Sequence, residues 1–343
     1  MKLLALVNTD LPFVVYKKPH SAKLHIVQQN SPDLYTDKLL QSNGFYFAPF
    51  DIDKHPIIVI KDDNSTKQSY FVREFEISHE NTSPTVFIEE TDKQSHLNKV
   101  QQAIDLIQAG HLDKMIVSRK IAVKLPDFNP FDSLIKLMQS RDESFVYYWH
   151  HPQVASWMGA TPELLINYQE NTLETVALAG TLPVKTGEPV SWTIKEIKEQ
   201  EIVSDYIESK LKRHSSQVKV EQAKTVFQGE IAHIKNEISC QIDWKDVNKV
   251  ILELHPTPAV CGLPTIDAKK YISSIEKYDR KYYTGFLGCK QADRINFFVN
   301  LRCLDIGNKL LSLYVGGGIV KDSIPDREWK ETIYKSQVLL NNL

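Results

Sequence analysis

The chain has 343 residues, of which 42% are hydrophobic and 24% are charged, a composition that excludes a disordered or fibrous protein and allows a large core. Lysine and arginine number 41 against 43 aspartate and glutamate residues, and no basic run is present, so we expect no nucleic-acid partner. The apolar run MKLLALV at the N-terminus is too short for a signal or a membrane span. Four widely spaced cysteines without a CxxC pair predict free thiols in a reducing compartment, and we expect a cytoplasmic protein that does not bind membranes.

The first half of the chain alternates short strands with two helices. Residues 1–90 combine short apolar runs with polar turns, which predicts strands, and contain no chemical motif. Apolar residues at helical spacing predict a helix over 94–110, and the alternating segment KMIVSRKIAV predicts the strand that follows. A second helix is predicted near 131–139. It precedes three β-rich runs, SFVYYWHH, VASWMGATPELLINY and TLETVALAGTLPV.

The second half of the chain begins with a long predicted helix, WTIKEIKEQEIVSDYIESKLKRH, whose polar stripe contains Lys198, Glu201, Asp205 and Glu208. The strand EIAHIKNEISCQI and the helix DWKDVNKVILEL follow, then a helix near 268–278. Three more strands are predicted, near 285–289, 295–303 and 309–315. A glycine triplet at 316–318 follows them, and a last helix begins near Pro325. No repeat or linker divides the chain, so we expect one domain over 1–343, with a divergent part at 1–90 and the motifs in 91–343.

Two features of the C-terminal region could carry chemistry on spacing alone. Glu328 and Glu331 lie one turn apart on the last helix and could share a divalent cation, although charged stripes are more often solvated faces. The glycines at 316–318 could present backbone N–H groups to a carboxylate, but a tight turn explains them equally well.

Arg302 lies inside a predicted strand and faces either solvent or a polar cleft, where its guanidinium would suit a carboxylate. Taken alone, Lys114 and Glu163 are typical of a surface lysine and a turn carboxylate. His233 is more often a structural histidine than a ligand.

Nine motifs follow one another from about Asp113 to the C-terminus: KMIVSRK, GATPELL, ALAGT, HIKNEI, LHPTPAVCGLP, EKYDRKYYTG, VNLRC, GGGIV and DREWKET. Their order and approximate spacing resemble the chorismate-binding enzyme family, which includes isochorismate, salicylate and aminodeoxychorismate synthases and anthranilate synthase component I. The resemblance implies an α+β fold, a single large domain of mainly antiparallel sheets with helices outside and a deep cleft inside.

The resemblance also implies roles for individual residues. Lys114 matches the general base of the water-using members, and Glu163 matches their general acid. Glu201 and Glu331 match carboxylates that bind Mg²⁺, with Glu328 as an outer or water-mediated ligand. Nine further residues match positions around the substrate: Ala179, Gly180, Thr181, His233, Tyr283, Arg302, Gly316, Gly318 and Lys335.

Within the family, the pattern is most similar to isochorismate synthases, which convert chorismate to isochorismate with Mg²⁺ for menaquinone or siderophore biosynthesis. Lys114 weighs against ammonia-using anthranilate synthases, and Ala179 stands where aminodeoxychorismate synthases carry a nucleophilic lysine. Salicylate synthases, which also eliminate pyruvate, remain the main enzymatic alternative, and a small residue at Ser204 disfavours them. Lys281 departs from the family's usual glycine.

Two expectations complete this interpretation. A catalytically silent protein that only binds a chorismate-like ligand is the alternative from another class, and retention of the four predicted catalytic and metal-binding side chains argues against it. We expect a small-molecule partner, chorismate, and a monomer or weak homodimer.

Overall fold

A computed structural model describes residues 2–77, 87–89, 93–125, 128–184, 189–228, 231–307 and 310–343. The strands, in chain order, are β1 (Phe13–Lys17), β2 (Lys23–Gln29), β3 (Thr36–Asp37), β4 (Gly44–Ala48), β5 (Ile57–Lys61), β6 (Ser65–Phe71), β7 (Phe87–Glu89), β8 (Lys114–Lys124), β9 (Phe145–His151), β10 (Ala155–Thr161), β11 (Leu164–Gln169), β12 (Thr172–Pro183), β13 (Val218–Val220), β14 (Lys224–Gln228), β15 (Ile231–Gln241), β16 (Gly262–Leu263), β17 (Phe286–Gln291), β18 (Arg294–Val299), β19 (Cys303–Ile306) and β20 (Leu311–Ile319). The helices are α1 (Lys93–Gln108), α2 (Pro130–Ser140), α3 (Ile194–Leu211), α4 (Trp244–Leu254), α5 (Thr265–Glu276) and α6 (Pro325–Leu340).

These strands form two large antiparallel sheets. The first has the order β16-β8-β20-β19-β10-β9-β1-β2-β6, with β7 also paired to β8. The second has the order β13-β15-β12-β11-β18-β17-β4-β5-β3, with β14 also paired to β15. Strands from the N-terminal part therefore complete both sheets that carry the motifs, and they supply structure there, as the sequence indicated.

Aromatic side chains from the two sheets interdigitate to form the core between them. Phe47 of β4 stacks on Trp149 of β9 with ring centroids 4.4 Å apart. The ring of Tyr282 also stacks on Phe47, with centroids 4.5 Å apart. Trp157 of β10 joins the same cluster and is fully buried. Large stacked rings bury much apolar surface in a fixed geometry, so this layer holds the sheets in register.

The helices cover the outer faces, where apolar stripes meet the sheets. Val203, Ile207 and Leu211 of α3 are buried with residues of α4 against the second sheet. On the first sheet, Met115 and Val117 of β8 are buried among residues of α1 and α5. Because side chains alternate along a strand, Lys114 and Ile116 take the other face of β8, as predicted. None of the described helices combines the length and apolar character that a membrane span needs.

Two predicted elements differ from the structure. The strand expected over 295–303 is interrupted, because β18 ends at Val299 and Arg302 adopts a left-handed backbone conformation with φ 46° before β19 begins. The glycines at 316–318 lie inside β20, paired with β8, rather than in a turn after a strand. Lys309, the predicted start of that strand, lies outside the described residues.

A buried ion pair holds the end of α5 against β8. Arg280 donates through Nε to Glu276 Oε2 at 2.8 Å and through Nη2 to Glu276 Oε1 at 2.6 Å, and both residues are 2% exposed. Glu276 also accepts from the Ser118 backbone N–H at 2.7 Å, and Arg280 donates to the carbonyl of Ile116 at 3.0 Å. The strand that begins with Lys114 is therefore fixed by charged hydrogen bonds from outside the sheet.

Replacing one partner of this pair should strongly destabilise the fold. We expect Arg280→Met to lower the free energy of unfolding by about 3–5 kcal/mol, since it leaves the Glu276 carboxylate buried without its partner. Urea denaturation measures the change. Arg294→Met, at an exposed position of β18, is the matched control and should have little effect; an equal loss in both variants would contradict the assignment.

Candidate active site

A cleft opens between elements of the two sheets. One wall comes from β12 and β15 of the second sheet and from α3, which packs on them. The other comes from β20 of the first sheet and from α6.

Most of the residues predicted to surround a substrate line this one cleft. They are Ala179, Thr181, His233, Tyr283, Arg302, Gly316, Gly318 and Lys335, and the predicted general acid Glu163 lines the cleft with them. Gly180 lies behind the lining, at a bulge of β12 where its φ of +69° favours glycine, and its carbonyl contacts His233. The structure thus brings these residues together, while their roles stay predictions.

Lys114 begins β8 and is fully buried beside the cleft. Its Nζ lies 3.0 Å from Oε1 of Glu199 on α3, an ion pair that lacks hydrogen-bond alignment. Gly318 makes this contact possible, because a Cβ at that position would collide with the Glu199 carboxylate and lie 3.1 Å from Cε of Lys114. The absence of a side chain at Gly318 therefore allows Lys114 and Glu199 to approach each other.

Glu163 lies between β10 and β11, where it is 4% exposed. Burial raises the pKa of this carboxyl group to about 7, and the nearby cations Lys114, Arg302 and Lys335 oppose the shift. A carboxyl group with such a pKa carries a proton in a large fraction of molecules at neutral pH. Glu163 can therefore donate a proton, which an ordinary surface glutamate cannot do.

His233 stays neutral and orients Arg302. Burial, with the charges of Arg302 and Lys335, lowers the pKa of His233 to about 3. Its Nδ1 lies 3.2 Å from the Gly180 carbonyl, which can only accept, so Nδ1 carries the proton. The other ring nitrogen, Nε2, then accepts from Arg302 Nη2 at 3.4 Å. Nε of Arg302 is buried without a partner among the described residues, so the guanidinium keeps a donor for a ligand.

The predicted metal ligand Glu201 does not face the cleft. Glu201 lies on the exposed face of α3, beside a separate cavity lined by Trp192, Ser204 and Asp205. Glu199, two positions earlier, lines the cleft instead. A shift of two residues turns a side chain by about 200° around a helix, so only one of the two glutamates can face inward.

The sequence contained a signal that separates these two glutamates. Val203, Ile207 and Leu211 define the inward stripe of α3, and Glu199 lies one turn before Val203 on the same stripe. The structure therefore places Glu199 in the cleft and Glu201 outside it, while the metal-binding role expected for Glu201 stays a prediction.

Glu328 and Glu331 of α6 lie at the same end of the cleft as Glu199, among lysines. Lys195 of α3 reaches Glu328 Oε1 at 3.2 Å and Glu199 Oε2 at 3.7 Å, and Lys335 reaches Glu331 Oε1 at 2.6 Å. Burial and the charge of Glu331 raise the pKa of Glu328 to about 7, against the charge of Lys195. Over the described part of the chain, no three histidine, cysteine or acidic side chains already stand in metal-binding geometry.

Two predicted departures from the family also have structural outcomes. Lys281 adopts φ 50°, a conformation that glycine takes more easily, and its backbone N–H is held by Asp279 Oδ1 at 2.8 Å. Ser204 lines the cavity on the other side of α3 and does not reach the cleft. It therefore does not contact a substrate there.

Comparison with known proteins agrees with this arrangement. A family model described as chorismate binding enzyme matches residues 53–343. The chain belongs to the chorismate-binding enzyme family. The predicted family and the α+β fold of antiparallel sheets are thereby confirmed.

Relatives in this family are isochorismate synthases. DhbC of Bacillus subtilis is 29% identical over 272 residues, which cover 73% of this chain and 67% of the relative. MenF of Haemophilus influenzae is 30% identical over 253 residues, which cover 71% of this chain but only 59% of the relative. A solved structure from Bacillus anthracis, assigned as a 2,3-dihydroxybenzoate-specific isochorismate synthase, has a TM-score of 0.84 at 22% identity, over 99% of this chain and 98% of that one, and shows the shared fold.

The raised pKa of Glu163 predicts a stability change in this chorismate-binding enzyme. The folded protein holds the proton more tightly than the unfolded chain, so stability falls as pH rises from about 4.5 through about 7. Glu163→Gln removes the titrating group and should raise the free energy of unfolding at about pH 8, by at most about 3 kcal/mol, with little gain near pH 4.5. Urea denaturation at both pH values tests this. Glu174→Gln, at an exposed position of β12, should show no such pH-dependent gain.

Proposed function

We propose that the protein is an isochorismate synthase, which isomerises chorismate to isochorismate with Mg²⁺. The observation that carries the proposal is the pairing, in one cleft, of a buried lysine amine with a carboxyl group whose pKa is raised to about 7. The isochorismate synthases among its relatives support the choice of substrate and product. The reaction moves a hydroxyl group within the ring, so the enzyme is an isomerase.

The two groups supply the proton transfers that this isomerisation needs. Lys114 takes a proton from the water that attacks C2 of the ring. Glu163 gives its proton to the hydroxyl group that leaves C4. Each positioned transfer is typically worth about 10²–10⁴-fold in rate. The proton that Glu163 carries near neutral pH is therefore the one that the leaving hydroxyl requires.

The carboxylates at the end of the cleft fit a divalent cation. Glu328 Oε2 is buried without a hydrogen-bond partner among the described residues, and it lies 3.4 Å from the point where a Cβ on Gly317 would stand. Glu331 Oε1 lies 3.5 Å from that point. Oxygen-rich, partly hydrated sites suit Mg²⁺. We therefore assign Glu199 and Glu331 as its direct ligands and Glu328 as an outer or water-mediated ligand. Bound there, it would neutralise and fix a ring carboxylate of the substrate.

The rest of the lining suits the second carboxylate and the enolpyruvyl group. Arg302, held by neutral His233, offers a free Nε donor, and Lys335 lies nearby with its Nζ 3.1 Å from the carbonyl of Gly316. Thr181 and Tyr283 add hydroxyl groups to the lining of the cleft. Binding the dianion at both ends would align C2 and C4 with Lys114 and Glu163.

The cysteines and the names of the relatives bear on the cellular setting. All four cysteines are free, which supports a reducing, cytoplasmic location. The relatives include a vibriobactin-specific isochorismate synthase and MenF enzymes, and we propose a role in siderophore or menaquinone biosynthesis. We further propose a monomer or weak homodimer.

Product analysis tests the proposed function. We expect the purified protein with chorismate and Mg²⁺ to form isochorismate, identified by chromatography, and to form none after chelation by EDTA. Salicylate with pyruvate would instead assign it as a salicylate synthase. Binding of chorismate without any product would identify a silent ligand-binding protein.

Variants at the two proton-transfer residues test their roles. We expect Lys114→Ala and Glu163→Gln each to lower kcat by at least about 10²-fold, because each removes a positioned proton transfer. In the unmodified enzyme, kcat/KM should fall as pH rises through about 7, where Glu163 loses its proton. Unchanged turnover in either variant would overturn that residue's role.

The two glutamates of α3 offer a matched pair. Glu199→Gln should abolish Mg²⁺-dependent activity, because it removes a ligand carboxylate inside the cleft. Glu201→Gln, on the opposite face of the same helix, should retain activity within about twofold. The reverse pattern would restore the prediction made for Glu201 from the sequence.

A further inference from the structure

We propose that Lys195 is a built-in competitor of the divalent cation. In the substrate-free protein its ammonium group forms ion pairs with the carboxylates of Glu199 and Glu328. It must move away before a divalent cation can bind these carboxylates. This inference rests on the proposed function, because it takes these carboxylates as metal ligands. It assigns to Lys195 control over metal affinity, a positioning role separate from the proton transfers.

The position of Lys195 between two helices carries the argument. It lies on α3, one turn before Glu199, and its Nζ crosses to α6, where Glu328 Oε1 is 3.2 Å away. The same Nζ lies 3.7 Å from Glu199 Oε2 and 4.0 Å from Glu196 Oε1. One ammonium group therefore touches acidic side chains from both walls of the cleft, as a bridging cation would.

An unsatisfied oxygen next to this contact indicates where a metal ion would stand. Glu328 Oε2 has no partner among the described residues, and it lies 3.4 Å from the point where a Cβ on Gly317 would stand, with Glu331 Oε1 3.5 Å from the same point. A cation bound by these oxygens would lie within a few ångströms of the Lys195 ammonium group. At such separations a divalent cation and the ammonium group repel each other strongly, so Lys195 weakens cation binding as long as it stays there.

Lys195 has space into which it can withdraw, unlike the other lysines of the cluster. Lys114 is fully buried, and Lys335 also donates to the carbonyl of Gly316. Lys195 lines a second cavity of about 320 Å³, which shares Thr181 with the cleft and is also lined by Asp322. A lysine stem with four rotatable bonds can carry its ammonium group into that cavity when a cation arrives.

The charge balance indicates a consequence for ligand order. With Lys114, Lys195 and Lys335 in place, the carboxylates of the cleft already have counter-ions. A divalent cation alone adds two positive charges, whereas a dianionic substrate brings two compensating negative charges. Metal and substrate should therefore strengthen each other's binding. In the absence of substrate, Lys195 keeps the affinity of the protein for the metal ion low.

Calorimetric titration of the substrate-free protein with MgCl₂ alone tests the proposal. We expect Lys195→Met to bind Mg²⁺ at least about tenfold more tightly than the unmodified protein, since the competing charge is gone. Lys195→Gln, which keeps a donor for Glu328, should shift affinity in the same direction. Lys195→Arg keeps the charge and should stay within about threefold of the unmodified protein. Lys198→Met removes an exposed lysine of α3 that lines neither the cleft nor the second cavity, and it should leave affinity unchanged.

Circular dichroism and melting curves verify that each variant is folded. Equal or weaker Mg²⁺ affinity in both neutral variants would overturn the proposal, and so would the absence of Mg²⁺ binding in every protein. Product formation is measured in parallel. Isochorismate formation with unchanged metal affinity would refute only the role of Lys195, while tighter metal binding without isochorismate would refute only the proposed reaction.

Discussion

The contact between Lys114 and Glu199 joins the two sheets at the point where the proposed chemistry occurs. Lys114 begins a strand of the first sheet, and Glu199 lies on a helix packed against the second. Their side chains meet at 3.0 Å only because Gly318, on the neighbouring strand, has no Cβ. The positions of the proposed base and of a proposed ligand carboxylate are consequently set by one close approach, and each sheet must be correctly placed for that approach to exist.

The cleft concentrates ionisable groups that would be more stable in water. Burial raises the pKa values of Glu163 and Glu328 to about 7, and it keeps His233 neutral by lowering its pKa to about 3. Arg302 adds a left-handed backbone conformation at φ 46°. Such features cost stability, and the buried aromatic layer and the Glu276–Arg280 pair supply the rigid frame that tolerates them.

Periodicity in the sequence predicted which segments form helices and strands, because burial imposes one repeat on a helix and another on a strand. It failed where local geometry overrides the pattern. The sequence VNLRC alternates like a strand, yet Arg302 leaves the strand direction so that its guanidinium enters the cleft. The glycines at 316–318 suggested a turn, but they lie in a strand whose neighbours need their missing side chains.

The case of Glu199 and Glu201 shows what ordered motifs can and cannot determine. The residue pattern located the long helix with its acidic segment KEQE, but both glutamates of that segment fit the family resemblance, and they differ by about 200° in direction. The choice between them depends on which face packs, and the stripe of Val203, Ile207 and Leu211 contains that information. The acidic stripe through Glu201 is a solvated face, as charged stripes usually are. Whether a helical residue can act in such a cleft therefore depends first on which face of the helix it occupies relative to the core. Its place in a motif is secondary.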